Sequence, residues 1–376
     1  MQSSGRWPGD SWTAREIEQQ PATWIRVAEA VRRARPEIGK LIGLSGWRIV
    51  LTGAGTSAFV GEVVARDLAR HLGRPVEAIA TTEIVADPGA VVVDDRPILL
   101  VSFARSGNSP ESVAAADLLQ RLAPELRHLV ITCDPGGRLA RRWSGAGNAV
   151  VVNLPDEVND RGFAMTSSFT GMALAALLAF GVDVDVDALA RAGSAVLDGA
   201  AEHAPAISGA KPARLVFLGS GPLRGLAREA ALKCLELTRG EVVGLADSAL
   251  GFRHGPKSVL DERTIAVVFL SIDPHARRYD VDIARELVQS LGEERVVVVG
   301  GDDAGEVGGA RIWPVPSPPG VPVAGYALLV VIAAQTTALA CSLALGVTPD
   351  NPFPEGEVNR VVQGVVIHEF APPEVS

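Results

Sequence analysis

Cysteine is scarce in this chain: Cys133, Cys234 and Cys341 are the only three among 376 residues. They stand far apart, form no C-x-x-C pair and make no even-numbered disulfide framework, so a reducing, cytoplasmic setting is expected. The six histidines include no pair at metal-ligand spacing, which leaves a metal site without support. An excess of positive charge is missing too. With a formal net charge of −9 the chain lacks the basic footprint of a nucleic-acid binder, so an anionic ligand must be held by local donors. The polar amino terminus carries no secretory pattern. Two stretches, Met172 to Phe180 and Tyr326 to Leu345, are apolar enough to suggest a membrane. The longer one contains Gln335, Thr336, Thr337 and Ser342, is rich in alanine and lacks basic flanks, so a buried core helix is expected instead.

What the chain does contain is alternation. After an amphipathic prelude (Ile17, Trp24, Val27, Val31, Ile38, Leu41), short apolar runs begin at Arg48, Val76, Ile98, Leu129 and Ala149. Each is a candidate strand, and helical patterns separate them, as in a parallel sheet with helices on both faces. The layout then repeats: Arg214 to Leu218 leads into a Gly-rich turn and a helix, and further strands are expected at Thr264–Leu270 and Arg295–Val299. Gly53 and Gly55 align with Gly219 and Gly221 at a common offset of 166 residues. This spacing indicates an internal duplication. The expected organisation is therefore a helical prelude (1–45), a first α/β unit (46–200), a second (201–348) and a carboxyl-terminal tail (349–376).

The stretch Ser102 to Ser112 follows a strand and opens a helix at Pro110. Ser106, Gly107 and Ser109 offer hydroxyls and a closely approachable backbone, beside the orphan N–H groups of the helix that follows. A phosphomonoester suits such a cradle; an ordinary capped helix start, with Ser109 as N-cap, is the plainer account. Thr56 and Ser57 supply hydroxyls after the first strand, and Ser167 stands before the Met172 helix. The second copy has Pro222 and Leu223 where Thr56 and Ser57 stand in the first, so only the first copy is expected to hold phosphate. Gly53-x-Gly55-x-x-Ala58 with Glu77 downstream also fits a dinucleotide fingerprint. Lys233 and Glu236 lie three apart on one helix face, and Glu229 is four before Lys233; surface ion pairing would explain all three. The alternative is that Glu236, among Leu232, Leu235 and Leu237, is a base with a raised pKa. His254 sits in the turn Gly251-Phe252-Arg253-His254-Gly255-Pro256.

Together these residues resemble the sugar isomerase (SIS) domain superfamily, with two copies in tandem as in the isomerase half of glucosamine-6-phosphate synthase. The resemblance implies an α/β fold of two SIS domains, each a doubly wound parallel sheet flanked by helices. It implies that Thr56, Ser57, Arg105, Ser106 and Ser109 hold a sugar phosphate. It further implies that Glu236 of the Lys-x-x-Glu helix shuttles a proton beside Lys233, and that His254, reaching over from the partner subunit of a homodimer, assists ring opening. Two positions depart from the pattern. Ala104 replaces a loop serine, and Gln363, three residues after Arg360, stands where the synthase has a lysine. No glutaminase segment precedes the first copy, so ammonia delivery from glutamine is not expected.

The phrases Ser102 to Ser112, Ala164 to Thr170 and Asn351 to Val365 are more similar to the AgaS family, whose members are galactosamine-6-phosphate deaminase/isomerases or tagatose-6-phosphate ketose/aldose isomerases. The resemblance implies release of ammonia from galactosamine 6-phosphate without metal or organic cofactor, and a tail that returns Arg360 and Gln363 to the site. A pure isomerase would use the same residues. A non-catalytic sugar-phosphate-binding protein is the third possibility, although the prelude has no basic patch for DNA.

Overall fold

A computed structural model describes residues 11–43, 46–303 and 305–370. The first ten residues of the expected prelude and the last six of the tail lie outside the described residues. Two helices come first, α1 (Trp12–Glu18) and α2 (Gln20–Ile42). The first α/β unit runs β1 (Arg48–Thr52), α3 (Thr56–Leu72), β2 (Val76–Ala78), α4 (Thr81–Ala86), β3 (Ile98–Ala104), α5 (Pro110–Leu122), β4 (Leu126–Thr132), α6 (Arg138–Trp143), β5 (Ala149–Asn153) and α7 (Ser167–Ala179). The long α8 (Val186–Gly209) leads to the second unit: β6 (Arg214–Gly219), α9 (Pro222–Leu237), β7 (Val243–Asp247), β8 (Thr264–Phe269), α10 (Pro274–Leu291), β9 (Val296–Val299), β10 (Arg311–Trp313) and α11 (Val323–Ala344).

All strand pairings are parallel, in the order β2-β1-β3-β4-β5 and, for the second sheet, β7-β6-β8-β9-β10. The two sheets thus have one topology, as the duplication requires. β1 and β3 are buried along their whole length because helices cover both faces, which is why they read as unbroken apolar runs. On the outer faces, Leu119 and Trp143 pack over the first sheet, and Ile283 and Leu287 over the second. The inner faces share one continuous core built from α2, α3, α7, α8, α9 and α11. α8 runs through position 200, the expected boundary, and packs against α2 and α11. α11 is buried from Ala324 to Ser342, so it is apolar all round for lack of a solvent face. Its Gln335 accepts from Gln20 Nε2 at 2.8 Å. The sequence reading names neither β7 nor α10.

The repeat is geometric as well as topological. Gly55 and Gly221 precede α3 and α9 with φ/ψ of 55/−127° and 62/−128°, a conformation that disfavours side chains. A Cβ on Gly53 would lie 2.5 Å from the Ser57 carbonyl carbon, and one on Gly219 2.5 Å from the Leu223 oxygen. Both turns are therefore closed onto the first turn of their helix. α3 and α9 cross where Gly225 admits the backbone of Val63, and Arg228 pairs there with Glu62. These two residues are 166 apart, the offset of the duplication.

Candidate active site

In a sheet of order 2-1-3-4-5, the connections after the first and third strands leave to opposite faces and open a crevice at their carboxyl ends. Here α3 leaves β1 toward the shared core, and α5 leaves β3 toward the outer face. A cavity of about 250 Å³ occupies this crevice, a small-metabolite volume below the roughly 300–1,000 Å³ of drug-sized sites. Thr56, Ser57, Arg105, Ser106 and Ser109 all line it, and Ser112 joins them.

The cradle is built to leave donors free. Ser109 is the N-cap of α5 by position, but its side chain caps no backbone N–H; its hydroxyl donates to Ser112 Oγ at 2.6 Å. Gly55 has no side chain to cap α3. The start of α5 therefore presents uncapped N–H groups, whose partial positive charge suits an anion. At α3 the Ser57 and Ala58 N–H groups already donate to the Ala54 and Gly55 carbonyls at 3.1 and 2.9 Å, and the helix end adds its dipole. The loop before α5 is braced from behind. The Gly107 carbonyl accepts from Leu139 N at 3.0 Å and Asn108 Oδ1 from Arg138 N at 3.0 Å, while Gly107 turns at φ 63°.

The opposite wall comes from the second copy. Glu236 of α9 lines the cavity beside Leu232, and Lys233 lies buried beneath it. Lys233 Nζ donates to Glu236 Oε2 and, at 3.0 Å, to Thr56 Oγ1; Glu229 approaches the same ammonium at 3.5 Å. The surface reading of this trio is corrected: Lys233 and Glu229 are fully buried, because α9 is covered by α3, α11 and β7. Burial opposes the Lys233 ammonium, but the charges of Glu229 and Glu236 outweigh it and hold its pKa above the usual lysine value. The carboxyl in apolar enclosure is Glu229, pushed by burial up to about 8 against the lowering charge of Lys233. Glu236 has instead an open face on the cavity, with a side-chain exposure of 23%.

Arg105 points its guanidinium into the site from the end of β3 and is itself buried. Nη1 donates to the Phe163 carbonyl at 3.2 Å and Nη2 to the Arg360 carbonyl at 2.8 Å. Burial, then the nearby Arg360 charge, lower its pKa from the usual arginine value. Residues 358–362 of the tail close this side of the cavity, with Phe353 tilted against Phe163 at 5.3 Å between ring centres. Arg360 lines the cavity and donates to the Asp160 carbonyl.

Ser167, Gln363 and, in its own chain, His254 do not line this cavity. Ser167 is fully buried and does not line the cavity: its hydroxyl donates to the Glu16 carbonyl at 2.6 Å and accepts from Gln19 at 3.0 Å. The start of α7 is already occupied by a carboxylate, Asp160, which accepts from the N–H groups of Thr166, Ser167 and Ser168 at 2.8–2.9 Å. His254 is exposed immediately after the short turn 251–253 and is not among the residues lining the cavity of its own chain. Gln363 is exposed beyond the stretch of tail that lines the site. The dinucleotide reading loses its ribose acid, since Glu77 is engaged by Arg48 through contacts of 2.8–3.0 Å. In the second copy, Asp280 accepts from Ser220 Oγ at 2.5 Å and Ser271 N at 3.0 Å, and Asp273 caps α10. Its loops are closed by the chain's own carboxylates, and its contribution to the site is α9.

Comparison with known proteins gives the family of the chain. The SIS domain family matches residues 45–181. An AgaS protein of Streptomyces coelicolor is 53% identical over 367 residues, covering 95% of each chain. The D-galactosamine-6-phosphate deaminase AgaS of Escherichia coli is 42% identical over 370 residues, 96% of each chain. Among solved structures, the tagatose-6-phosphate ketose/aldose isomerase from Escherichia coli is similar with a TM-score of 0.88 at 38% identity, covering 97% of this chain and 100% of that one.

Proposed function

The chain belongs to the AgaS family of SIS-domain proteins, and from that premise we propose that it is a D-galactosamine-6-phosphate deaminase/isomerase, yielding tagatose 6-phosphate and ammonia. The observation that carries the reading is the placement of one carboxylate, Glu236, across a single small cavity from a cradle of hydroxyls, helix amino termini and Arg105. An anion held at the cradle leaves the sugar carbons between it and Glu236.

The chemistry follows from placing anion and base on opposite walls of one cavity. In the open-chain sugar, the Glu236 carboxylate takes the proton from C2 and the electrons move toward C1, forming an enolamine. Returning the proton to C1 leaves an imine at C2, which water hydrolyses to the ketose and ammonia. Lys233, kept charged between two carboxylates, offers its ammonium beside Glu236 and Thr56, where it stabilises negative charge that develops on the substrate.

A homodimer with shared sites is part of the same proposal. His254 is exposed on its own chain, and in the shared-site arrangement it serves the neighbouring subunit as the acid or base for ring opening. A cytoplasmic place is also proposed, in keeping with three buried, free thiols. The deciding assay measures ammonia and ketose release from galactosamine 6-phosphate and glucosamine 6-phosphate side by side. Ammonia from the galacto sugar supports the reading. Interconversion of tagatose 6-phosphate with its aldose, with no ammonia from either amino sugar, would replace it by a pure isomerase, the activity in the name of the Escherichia coli structure.

A further inference from the structure

The amino-terminal helix α1 reaches neither the cavity nor its cradle, yet both peptide carbonyls that orient Arg105 hang from it. Glu16 of α1 extends its carboxylate to the loop before α7, accepting from Arg161 N and, at 3.2 and 3.3 Å, from Gly162 N. The contact is close enough that a Cβ on Gly162 would lie 2.7 Å from Thr13 Oγ1 and 3.0 Å from Glu16 Oε2. The next residue is Phe163, whose carbonyl accepts from Arg105. On the other side, Asp350 caps the same helix, accepting from Trp12 N, Thr13 N and Thr13 Oγ1 at 2.8 Å each. It anchors the tail that delivers the Arg360 carbonyl to Arg105.

We propose that Glu16 is a positioning residue for the sugar-phosphate site, acting through the 161–163 loop on the guanidinium of Arg105. A guanidinium has five N–H donors in a fixed plane. Two are held here by the Phe163 and Arg360 carbonyls, which fixes the plane and aims the remaining donors at the cavity. Without Glu16 the Arg161 and Gly162 amides lose their acceptor, the loop is released, and Arg105 loses one of its two orienting carbonyls. The inference rests on the proposed sugar-phosphate function only for the identity of the ligand. The geometry asks solely that Arg105 meet an anion.

The test is a double-mutant cycle in the full-length protein with Glu16→Ala, Arg105→Lys and the double variant, read first as affinity for inorganic phosphate and then as KM and kcat on galactosamine 6-phosphate. Glu16→Ala is expected to weaken phosphate binding and raise KM about tenfold with little change in kcat, and to add almost nothing once Arg105 is lysine. Glu16→Gln, which keeps an acceptor oxygen, should restore most of the affinity. Amide hydrogen exchange at Arg161 and Gly162 should quicken in Glu16→Ala while the strands stay protected. If Glu16→Ala folds poorly, Glu16→Met, which fills the same space but offers no acceptor to Arg161 N and Gly162 N, carries the same cycle when paired with Arg105→Lys. Independent, multiplying effects of the two positions, or unchanged phosphate affinity in Glu16→Ala, would overturn the proposal. A wild-type protein that binds phosphate but releases no ammonia would overturn the functional reading and leave the cycle on phosphate to judge Glu16.

Discussion

Lys233 Nζ donates to Thr56 Oγ1 at 3.0 Å, and this contact joins the helix that carries the candidate base to the loop that cradles the anion. The two residues belong to different copies of the duplicated unit. The ammonium also sits between Glu229 and Glu236, so its removal strips a buried carboxylate of its counter-charge. At about pH 9, above the Glu229 value of about 8, Lys233→Met should destabilise the protein by roughly 3–5 kcal/mol, the cost of breaking a buried ion pair from one side. Denaturant titration measures it. The double variant Lys233→Met/Glu229→Met should recover most of that loss; a double variant as unstable as the single one would show that the pair is not the source.

The cradle separates from the hydroxyls that only resemble it. Ser106→Ala and Ser109→Ala should each weaken sugar-phosphate binding by about 1–3 kcal/mol, a hydrogen bond to a charged group. Ser167→Ala should leave binding unchanged and lower stability by about 1 kcal/mol, because its hydroxyl bonds only Glu16 and Gln19. Calorimetric titration with the sugar phosphate distinguishes the two classes. Equal binding losses at all three positions would return Ser167 to the site.

These contrasts show what the residues announce and what only the fold supplies. The sheets are legible because both faces of β1 and β3 are covered, so their residues form apolar runs, and the glycine pairs at 53/55 and 219/221 mark equivalent turns. Ser167 misleads because a hydroxyl before an apolar helix looks the same whether a ligand or an internal carboxylate meets the helix. The carboxylate is Asp160, and the turn that brings it under Thr166 leaves no periodic trace. Glu229 misleads for the opposite reason. Charges at three- and four-residue spacing normally mean a wet face, and only the packing of α9 against both copies makes this one dry. Glu16 and Asp350 carry no local signal, since each acts on a segment more than a hundred residues away.

Stability should depend on pH through the buried acids. The carboxyl of Glu229 is raised to about 8, and Glu16 to about 7 by burial and by the charge of Asp160. A raised acid contributes stability that is fully present below its unfolded pKa near 4.5 and is lost as pH rises through the folded value. Wild-type stability should therefore fall between pH 5 and 8 from this source. Lys233, raised above 10.5, does not titrate in that window. Glu229→Gln should flatten the slope in denaturation series at pH 5.5 and 8; an unchanged slope would mean that Glu229 is ionised throughout.

If sites are shared, two defective chains should repair each other. His254→Ala lacks the ring-opening group it offers to a neighbour, and Ser57→Ala/Ser106→Ala lacks part of its own cradle. Mixed dimers contain one site with both sets intact, so activity should return toward a quarter to a half of the wild-type level as the chains exchange, a simple combinatorial expectation for sites built from two chains. No recovery in verified heterodimers would assign each site to one chain.

The proton-transfer step can be separated from ring opening at Glu236 and His254. Glu236→Gln keeps the side-chain shape and an acceptor for Lys233 but cannot take a proton, so sugar phosphate should still bind. Exchange of the C2 hydrogen with solvent deuterium should fall by about 10²–10⁴-fold, the usual contribution of a positioned general base. His254→Ala should slow turnover of the closed sugar more than that of an open-chain analogue, because only the closed form needs a proton moved at the ring oxygen. The two variants thus fail at different steps, which one NMR exchange experiment resolves. Exchange at the wild-type rate in Glu236→Gln would place the base elsewhere and reduce Glu236 to a partner that holds the Lys233 ammonium at the cavity wall.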